Sequence, residues 1–127
     1  MRKTILIMDD DDDIREVAQL TLELGASWIV VAANSGATGV DAAITHCPDA
    51  ILLDVMMPGM DGPATLDRLR QDERTRDIPV VFLTAKARPI ERERLEALRV
   101  AGVLGKPFDP VTLPHQIASL LGWETAA

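Results

Sequence analysis

Five short apolar runs punctuate the chain, and each is followed by a segment with helical periodicity. The runs are Ile5–Met8, Trp28–Ala33, Ala50–Leu53, Pro79–Thr84 and Gly102–Gly105. They are near-continuous rather than alternating, which is the pattern of strands buried on both faces of a parallel sheet. Between them, apolar residues recur every three or four positions. Ile14, Val17, Ala18, Thr21, Leu22 and Leu24 form the first such stripe, which Gly25 is placed to end. Ala37, Val40, Ala43 and Ile44 form the second, capped by Asn34-Ser35-Gly36 and stopped by Pro48. Pro63 opens a short helix carrying Leu66 and Leu69, and Pro89 opens another with Ile90, Leu95 and Leu98 on one side. The last helix carries Ile117, Leu120 and Leu121 and stops at Gly122. Its start is ambiguous. Asp109-Pro110 reads as a cap and first helical residue, yet Pro114 then falls where an amide is needed, so the helix starts nearer Thr112 or its first turn is irregular.

Strands alternating with helices imply a parallel sheet with right-handed crossovers. The expected fold class is therefore α/β, a doubly wound three-layer sandwich of five strand–helix units. A length of 127 residues fits one domain, with a core at about 4–122. The charged stretch Asp72–Asp77 is expected to be a solvated loop, and Cys47, the only cysteine, a packing residue.

Composition narrows the class. Hydrophobic residues make up 47% and exclude disorder. A net charge of −7 argues against a nucleic-acid surface, which needs clustered Lys and Arg. No apolar run approaches a membrane span, and the start does not read as a signal peptide. A cytoplasmic location is expected.

The chemistry gathers where the runs end. The third run stops on a lone carboxylate, Asp54, before a turn-rich segment holding Pro58-Gly59 and Asp61-Gly62. The first stops at Asp9 and Asp10, the fourth at Thr84, and the fifth just before Lys106. Carboxyl ends of parallel strands meet at one edge of the sheet, where ligands bind. Carboxylates crowded there repel unless a cation compensates, and Mg2+ is the natural one, with its hard oxygen ligands and affinity for phosphate. A backbone carbonyl after Asp54 can complete its shell. Lys106 and the Thr84 hydroxyl suit phosphoryl oxygens, and Asp54 can act as a nucleophile that forms an aspartyl-phosphate.

With these residues in view, the sequence resembles the receiver domain of two-component response regulators, of the single-domain chemotaxis-regulator type. The motifs that carry the resemblance are ILIMDDDDDIR, ILLDVMMPGMDG, VVFLTAKA and GVLGKPF, in order and at matching spacing. It spans Ile5 to Leu121. The resemblance implies a flavodoxin-like (βα)5 fold with sheet order 2-1-3-4-5. It also implies Mg2+-dependent transfer of a phosphoryl group from a histidine kinase or histidine phosphotransfer protein to Asp54. Asp9 and Asp10 then match the metal-holding acidic pair, Met56 the residue whose backbone carbonyl joins them, and Thr84 and Lys106 the phosphoryl-binding hydroxyl and lysine. Phosphorylation would switch partner binding through the face of the fourth helix, fifth strand and fifth helix. A domain of this kind catalyses only its own phosphorylation and hydrolysis, so it is expected not to be an enzyme in the usual sense. It is expected to be a monomer or weak phosphorylation-dependent dimer, with no output domain and an unidentified downstream protein.

Three positions depart from the pattern or tune it. Val103 stands where many receivers carry an aromatic, and its smaller side chain is expected to leave a shallow gap. Met56 and Lys86 fall at the mouth of the site, where neither can orient an attacking water, so a phosphorylated form that is not unusually short-lived is expected. Two other classes are weighed. A metal-dependent phosphatase of similar fold needs a second carboxylate at Met56. A flavin binder needs a Ser/Thr/Gly-rich loop after the first strand and more than 3% aromatics.

Overall fold

Side-chain alternation along five strands builds the molecule: the first, third and fourth in chain order are almost wholly buried, whereas the expected burial of the second is limited to Ala33 and that of the fifth to Val103. The computed structural model describes residues 2–85 and 88–123. Strands β1 (Thr4–Met8), β2 (Ile29–Ala33), β3 (Ala50–Asp54), β4 (Val80–Thr84) and β5 (Gly102–Gly105) form one parallel sheet in the order β2-β1-β3-β4-β5. Successive residues of a strand point to opposite faces. Ile5, Ile7, Ala50, Leu52, Val81 and Leu83 therefore face one layer, where they meet Ala18, Leu22, Leu113 and Ile117. Leu6, Met8, Ile51, Leu53, Val80 and Phe82 face the other, where they meet Val40, Ala43, Leu66, Leu69 and Leu95. Helices α1 (Asp12–Ala26) and α5 (Leu113–Leu121) supply the first layer; α2 (Gly36–His46), α3 (Gly62–Arg70) and α4 (Pro89–Glu96) supply the second. The expected doubly wound sandwich and its strand order are both present. Among the described residues, no helix is long and apolar enough to cross a membrane.

Helix starts follow the sequence signals. Asp11 caps α1 by accepting from the amides of Asp13 and Ile14, Ser35 caps α2 through the Thr38 amide, and Asp61 caps α3 through the Ala64 amide. The ambiguity over α5 resolves in favour of the later start. Thr112 is its N-cap, and Pro114 lies in the first turn, where its missing amide costs nothing. Asp109 instead closes a turn by accepting from the Val111 amide.

Four expectations need correction. Gly25 does not end α1; the helix runs on to Ala26, and Ser27 takes the left-handed cap with φ 58°. Gly25 lies inside the helix, where an added Cβ would stand 3.2 Å from Pro114 of α5, so a small residue lets the two helices approach. Cys47 is exposed, not packed, because it forms the left-handed C-cap of α2 with φ 46°. Leu24 and Ile90 are exposed at 82% and 58%, so the stripes on α1 and α4 are narrower than the periodicity suggests. The stretch Asp72–Asp77 is not wholly solvated. Thr75 is buried, and its hydroxyl donates to the Leu69 carbonyl at 2.6 Å, closing the end of α3.

Candidate functional site

Register decides which side chains meet. Met8 pairs with Leu53, Asp54 with Leu83, and Thr84 with Gly105. The next residues off β1 and β5 are Asp9 and Lys106. Asp9, Asp54, Thr84 and Lys106 are thus delivered to one edge of the sheet by strands that are neighbours in it.

The segment after Asp54 is folded back over this edge. The Gly62 amide donates to the Val55 carbonyl at 2.8 Å, and Gly59 takes φ 79° in the turn between. A Cβ at Gly62 would sit 2.7 Å from the Asp54 carbonyl oxygen and 2.8 Å from the Val55 Cα, so only glycine lets α3 begin this close to β3. The turn walls an open cleft of about 550 Å³, lined by Asp10, Met56, Met57, Pro58, Gly59 and Asp61.

Asp9 is fully buried, Asp54 and Thr84 nearly so, and only Asp10 of the acidic group is exposed. Carboxylate oxygens of Asp9, Asp10 and Asp54 lie within 4.8 Å of one another. Lys106 stands between two of them. Its ammonium is 2.7 Å from Asp9 Oδ2 and 3.0 Å from Asp54 Oδ1. Asp54 Oδ1 also accepts a long bond from the Met56 amide at 3.4 Å. Asp9 is fixed on its other side, where Oδ1 accepts from the Asp11 amide at 2.9 Å and its carbonyl accepts from the Arg15 guanidinium at 2.8 Å. Arg15 escaped the sequence reading. Its position one helical turn into α1 was the available signal.

The electrostatics follow from burial. Burial pushes the Asp54 carboxyl up, the Lys106 hydrogen bond pulls it back, and the Asp9 charge pushes again; the balance lies at about 6. Burial alone would lower Lys106, but its bonds to Asp9 and Asp54 outweigh that and hold it above the usual lysine range. The single ammonium pairs with two of the three carboxylates, so the cluster is short of positive charge. Asp9 Oδ2 accepts no directed hydrogen bond among the described residues despite its ion pair. A hard divalent cation fits this donor set.

Most of the expected residues are brought together: Asp9, Asp10, Asp54 and Lys106 are in mutual reach, with Met56 and Thr84 beside them. Met56 is 62% exposed at the cleft mouth. Lys86 lies outside the described residues. The face where a shallow gap is expected at Val103 holds an open groove. Val103 is buried, and the Arg92 guanidinium reaches from α4 to donate to its carbonyl at 3.1 Å. The groove on that face, about 380 Å³, is lined by Arg92, Leu104, His115 and Leu120 as well as Val103. No spacing rule pointed to Arg92, because its partner is a backbone atom.

Comparison with known proteins turns this geometry into a family assignment. The sequence profile of the response regulator receiver domain matches residues 5–118. The chain belongs to that family. It is 34% identical to response regulator Rre1 of Synechocystis sp. over 98% of this chain and 54% of that protein. It is 37% identical to the phosphate regulon transcriptional regulatory protein PhoB of Pseudomonas aeruginosa over 94% of this chain and 52% of that one. The chain therefore spans about half the length of these curated relatives. Among solved structures, a putative response regulator from Chloroflexus aurantiacus superposes with TM-score 0.86 at 33% identity, covering 96% of this chain and 99% of that one. The chemotaxis protein CheY4 of Vibrio cholerae superposes with TM-score 0.86 at 28% identity, covering 94% and 99%. The receiver is a response-regulator module of two-component signalling, and the phosphatase alternative finds no support in these matches.

Proposed function

We propose that this receiver accepts a phosphoryl group on Asp54 from the phosphohistidine of a histidine kinase or histidine phosphotransfer protein. The Asp54 carboxylate attacks phosphorus, the P–N bond to the donor histidine breaks, and the electron pair leaves with the imidazole. Asp9, Asp10, Asp54 and the Met56 carbonyl would hold Mg2+, which supplies neutralisation of phosphoryl oxygen charge when bound. Lys106 moves from pairing Asp54 to pairing a phosphoryl oxygen, and Thr84 donates its hydroxyl to another. Neither Met56, at the cleft mouth, nor the residue type of Lys86 supplies a carboxylate or amide to orient an attacking water, so the phosphorylated form is not unusually short-lived. The domain is a regulated binding module rather than an enzyme with an external substrate. Its place is the cytoplasm, as a monomer or weak phosphorylation-dependent dimer that acts through a downstream protein.

What supports the reading is one observation: a nearly buried carboxylate, at the end of a central strand, shares an ammonium with a second buried carboxylate beside an open cleft. Incubation with acetyl phosphate and magnesium, followed by intact mass, tests it. A gain of one phosphoryl group that vanishes in Asp54→Ala is expected. No gain at any concentration tried overturns the reading.

A further inference from the structure

A second cavity shares Met56 with the acidic cleft. It occupies about 260 Å³ between the start of α3 and the length of α4. Val55, Met56, Pro63, Leu95 and Leu98 line it, with Thr84 in its wall and Glu91 and Arg94 at its rim. Its size exceeds the roughly 150 Å³ that admits benzene in an apolar protein cavity, so one aromatic or large aliphatic side chain fits.

Two features of the rim distinguish the occupant. First, the charges are unequal. Glu91 is paired with Arg88 across one helical turn, whereas Arg94 forms no ion pair among the described residues. An unpaired guanidinium over an apolar cavity complements a carboxylate that arrives with an apolar group. Second, the apolar surface continues outside the cavity. Met56 both lines it and is 62% exposed, and Ile90, four residues before Arg94 and so on the same face of α4, is 58% exposed. A pocket ringed by exposed apolar side chains is the form of a protein–protein hot spot, in which one anchor is buried and the surround excludes water. A lone small molecule would leave that surround uncovered.

We propose that the α3–α4 cavity receives a phenylalanine or leucine from an acidic segment of a partner protein, with a neighbouring carboxylate on Arg94. The occupant touches Thr84, Val55 and Met56, of which Met56 also lines the acidic cleft and Val55 directly follows Asp54. Its binding is therefore coupled to the state of Asp54, and the coupling is reciprocal. That coupling, but not the occupancy itself, rests on the phosphoacceptor reading above.

The probe is the peptide acetyl-Glu-Glu-Phe-Glu-Glu-amide, titrated into methyl-labelled protein and followed by NMR. Saturable shifts at the methyls of Leu95, Leu98 and Val55 are expected, with affinity about tenfold weaker in Arg94→Glu. The same peptide with alanine in place of phenylalanine is expected to lose the shifts. No saturation, equal binding of the alanine peptide, or saturation by 3-phenylpropionate without saturation by the peptide overturns the proposal. Leu98→Phe, which fills the cavity from inside, serves as a second block. Unchanged peptide affinity in that variant, with its melting transition intact, also overturns it. Repeating the titration on protein phosphorylated by acetyl phosphate, with labelling verified by intact mass, is expected to change the affinity at least about threefold. Labelled protein with unchanged affinity overturns the coupling. Absence of the mass gain overturns the phosphoacceptor reading and the coupling with it, while the occupant stands or falls on the first titration.

Discussion

At the scale of single residues, burial makes the charged form of Asp54 costly. Asp54 has a folded pKa of about 6 against 3.8 as the ordinary value. The folded protein therefore binds the Asp54 proton more tightly than the unfolded chain does. Below about pH 4 both states hold it; above about pH 6 both have released it, and the folded state has lost the difference. Asp54 thus withdraws stability as pH rises between those limits, by roughly 2 to 3 kcal/mol. Asp54→Asn removes the titration. In chelator-containing buffer, the stability of that variant relative to the natural protein is expected to rise by about this amount from pH 4 to pH 7, measured by urea unfolding at each pH. A flat difference across that range would show that burial of the carboxylate is relieved some other way. This residue was legible in the sequence, because a lone carboxylate closing the apolar run Ala50–Leu53 has no packing role. Its immediate partners were less so. Lys106 was expected on phosphoryl oxygens, and its bridge between Asp9 and Asp54 left no signal in the spacing of the motifs. Arg15 and Arg92 act through backbone carbonyls, which leave no signature in residue type.

At the scale of elements, the strands were readable almost to the residue and the helix ends were not. Apolar runs buried on both faces must end where the sheet ends, so Asp54 and Thr84 mark real boundaries. Helix ends depend on local φ, and a non-glycine residue can take the left-handed cap, as Ser27 and Cys47 do. The turn from β3 to α3 separates two reasons for glycine. Gly59 has positive φ but nothing within 4 Å of where a Cβ would stand, so Gly59→Ala costs backbone strain alone, about 1 kcal/mol. Gly62 faces Asp54 and Val55 backbone at 2.7 and 2.8 Å, which cannot rotate away. Gly62→Ala is expected to cost more than about 2 kcal/mol and to displace the segment that carries Met56. Urea unfolding measures the first effect and acetyl phosphate labelling rate the second. Equal costs at the two glycines would refute the distinction.

At the scale of the whole molecule, the chain beyond α5 is tied to the edge of the sheet opposite the acidic pocket. The Trp123 amide donates to the Ala118 carbonyl at 2.8 Å while Gly122 takes φ 71°, which completes the helix cap and turns the tryptophan inward. Its ring meets that of Trp28 edge to face, with centroids 5.2 Å apart and planes at 87°, and the Lys3 ammonium lies 5.1 Å from its centroid. Trp28 is buried just past the end of α1, and Lys3 precedes β1. One side chain thus joins the start of the first strand, the end of the first helix and the end of the last. None of this was legible beforehand, because two tryptophans 95 positions apart form a pair only once the α1–α5 layer exists. Trp123→Ala uncovers Trp28 and removes the aromatic pair and the cation contact together. The expected loss is about 2 kcal/mol, or roughly 5 to 10 °C in Tm for a domain of this size. The acidic pocket lies at the other edge of the sheet, so acetyl phosphate labelling of Asp54 in the variant should proceed at the natural rate below its melting range. A Tm within about 1 °C of the natural protein would mean that the rings contribute no net stabilisation. A slowed labelling rate in fully folded variant would mean that the two edges of the sheet are coupled through the core.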